Sequence, residues 1–399
     1  MFWLKRINRC DVFILLNILY SMQGLLYPQG VINQLLQMVI ILWSLTIAVK
    51  YLFLRKHNSR LLKATSWLVF MYVIYGTILL FWGDSYIPYA GEFPSKYIYL
   101  QVSLRSLLPI YVFYHYSYRG FLSSQRIRIY GLFLLASLMP MFYFRQMQNL
   151  LYVNKNEVTN NMGYDFLSLL PLCCFFYKRP IIQYILLSIT LLFIVMAMKR
   201  GAIVIAGFCV VLLIYGNIFS KGYKYKVINI LYSVLIIIGA VYFISHMIAT
   251  SDYFALRFEN TLSGDTSGRD DIFEAIWNSV QNETNLFYFL LGRGADSTWG
   301  IAGVYAHNDW LETVCNNGLL GVFILLNFYY TIVKDAHYLR ITTVKFIYTS
   351  YIILFLILLL KTFFSMSIQN MDISQSLLLG YFAFLISKTK NNIFQERFV

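Results

Sequence analysis

The sequence predicts an all-α polytopic membrane protein with about 12 transmembrane helices and one large external loop that contains short helices. Hydrophobic residues make up 59% of the chain and charged residues only 13%, and the mean hydropathy of +0.62 excludes an ordinary soluble domain. Apolar runs of about 20 residues, the length needed to cross a bilayer, recur along the chain. The basic residues are also distributed unevenly between the connecting loops. We expect residues 1–399 to form a single polytopic membrane domain.

The predicted spans follow one another with mostly short polar connections. The first and the sixth are the shortest. In chain order they cover residues 12–28, 33–54, 64–82, 97–117, 129–145, 162–177, 181–198, 201–219, 227–249, 313–333, 346–364 and 373–387.

Loop charge predicts the orientation of these spans. Alternate loops carry 22 of the 32 Lys and Arg residues, and by the positive-inside rule those loops and both termini are cytoplasmic. The formal net charge of +14 therefore reflects membrane orientation. Membrane lipids are predicted partners, and no nucleic acid is.

The loop covering residues 250–312 is the one long stretch that can carry polar chemistry. Residues 251–317 hold ten carboxylates but only three basic residues, although the chain as a whole is strongly basic. We therefore predict that this loop is external, in the periplasm or outside the cell.

Lys199 and Arg200 break the apolar pattern at the turn between the spans 181–198 and 201–219. They are either a pair that snorkels at a helix end, or Arg200 points into an external cavity and binds an anion. The planar guanidinium is well suited to phosphate.

Arg105 lies in the middle of the span 97–117. A charge at that depth costs about 3 kcal/mol on insertion scales and usually has a function. The alternative is a buried structural pair with an acidic residue elsewhere in the chain.

Arg269 begins a predicted helix in the long loop, with Ser267 as its N-cap. Phe273, Ile276 and Val280 follow at helical spacing, so Arg269 should lie on the apolar face. A cation at a helix N-terminus opposes the macrodipole, and this arrangement makes sense if an anion binds there. The alternative is an ordinary loop arginine.

His307 is predicted to begin a second helical stretch, with Leu311 and Val314 on the same inward face. A lone histidine is usually structural, but here it can act as a base at physiological pH. Asp309 and Glu312 could suggest a metal, but no second His or Cys completes a ligand set, so we expect neither a metal nor a cofactor.

Taken together, these motifs resemble the O-antigen polymerase and O-antigen ligase family of bacterial envelope proteins. The resemblance covers residues 195–335, while the first half matches in topology alone. The matching segments, in order, are Lys199-Arg200-Gly201-Ala202, Ser267-Gly268-Arg269, Leu291-Gly292-Arg293-Gly294, His307-Asn308-Asp309-Trp310-Leu311-Glu312 and Gly318-Leu319-Leu320-Gly321.

The resemblance implies a C-type glycosyltransferase architecture and a donor glycan on undecaprenyl diphosphate, with no metal and no nucleotide sugar. It implies that Arg200 and Arg269 hold the donor diphosphate and that His307 is the base. Lys199-Arg200 stands where many relatives have Ser-Arg. Further candidate substrate contacts are Arg105, Lys199, Arg293, Asn308, Asp309 and Glu312.

The expected function is an O-antigen polymerase that joins lipid-linked repeat units in the bacterial inner membrane, with its active site facing the periplasm. A ligase that transfers the glycan to lipid A-core or another acceptor uses the same chemistry, and one sequence does not separate the two. A flippase or exporter is the alternative from another class, but it needs charges through the spans in both leaflets, and only Arg105 lies deep in a span. A chain-length regulator is a further candidate partner.

Overall fold

The computed structural model describes residues 7–26, 30–54, 59–83, 95–153, 158–219, 226–263 and 268–396. Within these ranges the chain is all-helical and contains no strand, which confirms the predicted fold class. The α-helices are α1 (Arg9–Leu26), α2 (Val31–Val49), α3 (Arg60–Phe81), α4 (Ser95–Leu107), α5 (Pro109–Tyr118), α6 (Ser124–Val153), α7 (Gly163–Leu167), α8 (Leu170–Cys173), α9 (Pro180–Met196), α10 (Arg200–Ile218), α11 (Lys226–Thr250), α12 (Asp252–Leu262), α13 (Arg269–Gln281), α14 (Leu286–Leu291), α15 (Ser297–Ala302), α16 (Asp309–Thr342), α17 (Lys345–Phe364) and α18 (Ile373–Glu396).

Seven helices in the described part of the chain are long and apolar enough to cross a membrane, which indicates a membrane protein. They are α2 with its π-helical extension Lys50–Leu54, α3, α6, α10, α11, α16 and α17. The predicted number of about 12 spans is not confirmed, because the remaining predicted spans fall on shorter or more polar helices.

Two of the predicted spans are broken in the structure. The span 97–117 is divided into α4 and α5, because Pro109 has no N–H with which to continue the hydrogen bonding of α4, whereas it suits the first position of α5. The span 162–177 is divided into α7, α8 and a 3-10 turn, Cys174–Phe176.

The core is centred on α5 and α18, which pack along each other. All but two residues of α5 are buried, including Tyr111 and Phe113 with no exposed surface. Of the longer apolar helices, α2 packs against α5, and α3, α16 and α17 pack against α18, while α10 packs against α17.

Four short helices, α12 to α15, connect α11 to α16. The third of them, α14, exposes apolar side chains along its whole length, and Phe287 is 73% exposed. Helix α13 begins after Gly268, whose φ of 75° favours glycine. The N-cap predicted at Ser267 lies outside the described residues.

Helix α16 is interrupted at Gly318, where φ is 63° and ψ is −163°. Near this break, the backbone N–H groups of Arg293 and Gly294 donate to the carbonyls of Cys315 (2.9 Å) and Asn316 (3.0 Å). A side chain on Gly292 would come within 2.4 Å of the α16 backbone, and one on Gly318 within 2.4 Å of the Gly292 nitrogen. The Gly292-Arg293-Gly294 turn is therefore locked against the break in α16.

Candidate functional site

The candidate site is built at the start of α10. After α9, Met198 adopts a left-handed conformation (φ 53°). Lys199, in an extended conformation, is the N-cap of α10. A Cβ on Gly201 would lie 2.6 Å from the Tyr164 hydroxyl and 2.7 Å from Phe364 Cβ. The absence of a side chain at Gly201 thus brings α7 and the end of α17 directly against the first turn of α10.

Two arginines from the connecting segment bring further positive charge to this turn. Arg257 comes from α12, whose Phe254 packs with Met198, and Arg269 is the first residue of α13. Burial lowers the pKa of Lys199 to about 8, and the charges of Arg257 and Arg269 contribute to that shift. We call Lys199, Arg257 and Arg269 the cationic cluster.

The position of Arg269 agrees with the helical phase read from the sequence. Ile276, two turns further along α13, is fully buried and packs with Ala306 and Cys315. Arg269 is half-buried on the same side of the helix, at its N-terminal end. The segment that precedes α16 therefore lies beside α13, which brings Arg269 into electrostatic range of His307.

His307 differs from its prediction in local structure. Asn308 is the N-cap of α16, and its Oδ1 accepts hydrogen bonds from the backbone N–H groups of Trp310 (2.9 Å) and Leu311 (3.2 Å). His307 consequently precedes the helix, in a left-handed conformation with φ 52°, and the helical phase does not apply to it. A non-glycine residue in this region costs about 1–3 kcal/mol, and such residues concentrate at functional sites.

The electrostatics of His307 favour the neutral imidazole. The residue is exposed at the surface, but loss of solvent around the ring lowers its pKa, and the charges of Arg269 and Lys199 lower it further. A neutral imidazole beside a cationic cluster can accept a proton while the cations hold an anion.

Arg200 is the first residue of α10 and is half-buried. The two charges that lower the His307 pKa are those of Arg269 and Lys199. Lys199, predicted as a further substrate contact, thus lies within electrostatic range of both Arg269 and His307. Arg200 as a ligand of the diphosphate stays a prediction.

Glu312 holds the backbone on the buried side of His307. Its Oε1 accepts a hydrogen bond from the Ala306 N–H (2.6 Å), and its Oε2 accepts from Thr298 Oγ1 (2.7 Å) and Asn316 Nδ2 (3.1 Å). The residue is only 4% exposed. These bonds indicate that Glu312 fixes the chain next to His307, and substrate contact by Glu312 stays a prediction.

Asp309 is also engaged within the protein. It is 5% exposed, and its Oδ2 accepts from the backbone N–H groups of Ser367 (2.9 Å) and Ile368 (3.1 Å). It ties the start of α16 to the connection between α17 and α18. Asn308 acts as a cap through Oδ1, as described above. Both residues therefore have a structural part, and substrate contact by either stays a prediction.

Arg293 forms an ion pair with Glu283. Its Nη2 lies 2.7 Å from Glu283 Oε2 and donates to the Ser279 carbonyl at 3.0 Å. Its Nη1 also donates to Ser279 Oγ. The guanidinium thus fastens the turn after α14 to the end of α13, and substrate contact by Arg293 stays a prediction.

Arg105 lies in a separate polar cavity of about 300 Å³. Its guanidinium donates to the Tyr20 hydroxyl and lies 5.1 Å from the centre of that ring. Asp165 lines the same cavity and is within range of the Arg105 charge. This agrees with the acidic partner that the sequence analysis weighed for Arg105, without a direct ion pair among the described residues.

Three residues near the site were not anticipated from the sequence. Arg257 was read only as a basic loop residue, Tyr164 as part of a span, and Lys361 as one of the basic residues outside the cytoplasmic loops. Lys361 is buried, and its Nζ lies 5.6 Å from the centre of the Tyr164 ring. A buried lysine near the end of an apolar helix was the one signal available, since such a charge needs a partner.

Comparison with protein-family models, curated proteins and solved structures gave no match. The class of protein is therefore defined by the fold and the site alone. Its described residues are all-helical, with seven helices long and apolar enough to cross a membrane, and with a cationic cluster and a histidine where these helices meet a folded connecting segment.

Proposed function

We propose that this protein is an inverting glycosyltransferase that polymerises undecaprenyl-diphosphate-linked oligosaccharide repeat units. The proposal rests chiefly on one observation: the cationic cluster stands beside a histidine that favours the neutral form, next to the ends of apolar helices. A lipid diphosphate is an anion held at a membrane surface, where such a cluster can meet it.

The reaction is a single displacement at the anomeric carbon of the donor. The acceptor hydroxyl forms the new C–O bond as the bond between the anomeric carbon and the diphosphate oxygen breaks. His307 takes the hydroxyl proton, and undecaprenyl diphosphate leaves with the bonding electrons. Lys199, Arg257 and Arg269, with Arg200 at the start of α10, stabilise the charge that develops on the diphosphate.

The proposal includes a placement in the cell. We infer twelve crossings of the bacterial inner membrane, in which α4–α5 and the segment from α7 to the 3-10 turn count as one crossing each, together with α1, α9 and α18. Both termini are then cytoplasmic, and the connecting segment with the site faces the periplasm, in keeping with the loop charge.

The test is reconstitution of the purified protein with synthetic lipid-linked repeat units. We expect Arg269→Ala and Lys199→Gln to lower turnover at least about 10²-fold, because one charged contact to the leaving group is worth roughly 2.7–4 kcal/mol. Arg269→Lys should rescue poorly, since lysine lacks the bidentate fork. Arg119→Ala, at an exposed arginine outside the cluster, is the matched control.

The products separate the candidate functions. Polymer of increasing length supports the proposal, whereas transfer to lipid A-core without polymer indicates a ligase. Movement of the lipid-linked glycan between leaflets without a new glycosidic bond would exclude both transferase functions and indicate a flippase. Full activity of Arg269→Ala and Lys199→Gln would leave the diphosphate site without its proposed ligands.

A further inference from the structure

A second polar site lies beside the cationic cluster. It is the cavity of about 300 Å³ that contains Arg105, enclosed by α1, α4, α6, α7 and the start of α18. Hydroxyl and amide side chains supply much of its wall. The residues on which the inference depends are Asn17, Tyr20, Arg105, Asp165, Asp372 and Ser374.

The charged side chains in this cavity do not satisfy each other's capacity for hydrogen bonds and ion pairs. Asp372 uses Oδ1 to accept from the N–H groups of Ser374 (2.9 Å) and Gln375 (3.1 Å) at the start of α18. Its Oδ2 is buried and has no hydrogen-bond partner in the described part of the chain. Arg105 contacts Tyr20 but forms no ion pair within 4 Å with a described residue. Buried polar atoms in this state are costly unless something else satisfies them.

The balance of charge indicates the class of ligand. Charges of both signs lie on its wall: Asp165 and Asp372 line the cavity together with Arg105, and Lys361, outside the lining, is within electrostatic range of Asp165. A diphosphate would meet the carboxylates, and a metal cation would meet Arg105. A neutral ligand rich in hydroxyl groups can donate to the carboxylates and accept from the guanidinium at the same time. The Tyr20 ring adds an aromatic surface of the kind on which a sugar face can pack.

The cavity is connected to the cationic cluster through one shared wall. Lys361 donates from Nζ to the carbonyl of Asn370 (3.1 Å), which lines the cavity, and lies over the Tyr164 ring. The Tyr164 hydroxyl lies against Gly201 and feels the charge of Arg269. Asp165 follows Tyr164 directly and faces the cavity. A ligand there is a neighbour of whatever the cluster binds.

We propose that this cavity binds a neutral sugar ring of the lipid-linked glycan, with Asp165, Asp372 and Arg105 as its polar contacts. The inference rests on the proposed function and deepens it, because it separates a sugar subsite from the diphosphate subsite. Its volume is at the lower end of the range for ligand pockets, about 300–1,000 Å³, which suits one or two rings better than a whole repeat unit.

The experiment measures two affinities on the same full-length purified protein. One probe is the lipid-free oligosaccharide of the repeat unit, and the other is inorganic diphosphate. We expect Asp165→Asn and Arg105→Gln each to weaken oligosaccharide binding at least about 10-fold, since a buried hydrogen bond to a charged group is worth roughly 1.5–3 kcal/mol. Diphosphate affinity should stay within about twofold, which also shows that the variants are folded.

Tyr20→Phe keeps the ring and removes one hydroxyl, so it provides a milder variant that should fold. We expect it to weaken oligosaccharide binding about 3-fold, because Arg105 loses the hydroxyl to which it donates and is held less firmly. Glu274→Gln, an exposed carboxylate on α13, is the matched control and should change neither affinity.

The outcomes are distinct for the two proposals. Wild-type oligosaccharide affinity in both Asp165→Asn and Arg105→Gln, or no oligosaccharide binding to the wild type, overturns the sugar subsite. If instead none of the variants in the cationic cluster loses diphosphate binding, the proposed function is contradicted. Displacement of the oligosaccharide by undecaprenyl diphosphate bearing a single sugar, but not by undecaprenyl diphosphate, assigns the ring to the donor. Binding that persists beside that donor assigns the ring to the acceptor.

Discussion

At the scale of single residues, His307 shows why position matters more than helical phase. The apolar spacing predicts that it lies on the inward face of a helix, but the Asn308 side chain caps α16 one residue later and leaves His307 in a left-handed turn. Glu312 holds the preceding N–H group. The backbone that carries the imidazole is thus held in place, and the helix begins only after His307 in the chain.

His307 should show a distinctive pH dependence. Its folded pKa is lowered by loss of solvent and by the charges of Arg269 and Lys199, so the neutral base persists below the usual imidazole pKa of about 6.5. We expect turnover to fall only as pH drops below that value, and His307→Gln to lose at least about 10²-fold at neutral pH. Turnover and diphosphate binding should be measured on the same purified variants across pH.

Diphosphate affinity should change little in His307→Gln, because the cationic cluster is intact. If this variant turns over near the wild-type rate, His307 is not the base. The carboxylates of Asp309 and Glu312 would then need to be tested in its place.

Lys199 should couple anion binding to proton uptake. Its pKa of about 8 means that a large fraction of the side chain is neutral at pH 8 without ligand. A bound anion favours the charged form and raises that pKa, so inorganic diphosphate should bind with net uptake of protons near pH 8. Calorimetry in buffers of different ionisation enthalpy measures this uptake.

The uptake should fade towards pH 6, where Lys199 is already charged, although His307 adds its own contribution there. Lys199→Arg keeps the charge at all these pH values and should abolish the component near pH 8. Equal uptake in that variant and the wild type would assign the titration to another group.

At the scale of elements, the first turn of α10 depends on Gly201. We expect Gly201→Ala to displace Tyr164 and Phe364, which would lie under 3 Å from the new Cβ, and to lower turnover at least about 10-fold. Gly207→Ala lies on the same helix with nothing within 4 Å of its Cβ. It should keep full activity and provide the control for helix propensity. Similar losses in the two variants would show that packing at Gly201 does not position the site.

The sequence allowed some of these elements to be predicted and hid others. The phase of Arg269 on α13 could be read because one face of that helix is apolar and buried through Ile276. The break at Gly318 could not be read, because its cause is a tertiary contact with Gly292. Arg257 and Lys361 were visible as charges, but the fold alone shows that α12 and α17 bring them near α10.

At the scale of the whole molecule, the distribution of loop charge predicts opposite sides for two exposed positions. Glu274 on α13 and Arg119 after α5 are both exposed, and all five native cysteines are buried. We expect a membrane-impermeant thiol reagent to label Glu274→Cys in intact spheroplasts and to leave Arg119→Cys unlabelled until the membrane is opened. The reverse pattern would invert the orientation.

The interruption of α16 at Gly318 has a consequence for how the protein tolerates its lipid surroundings. Residues 309–317 are fastened to the turn at Arg293 and Gly294 and, through Asp309, to the connection between α17 and α18, and α16 as a whole packs with α3 and α17. A spanning helix tilts as hydrocarbon thickness changes, and a continuous α16 would carry that tilt into the segment beside His307. Because α16 is interrupted at Gly318, residues 309–317 can keep their position while the remainder of the helix changes its tilt. We therefore expect turnover to vary less than about threefold across bilayers of different acyl length in the wild type, as measured in reconstituted vesicles.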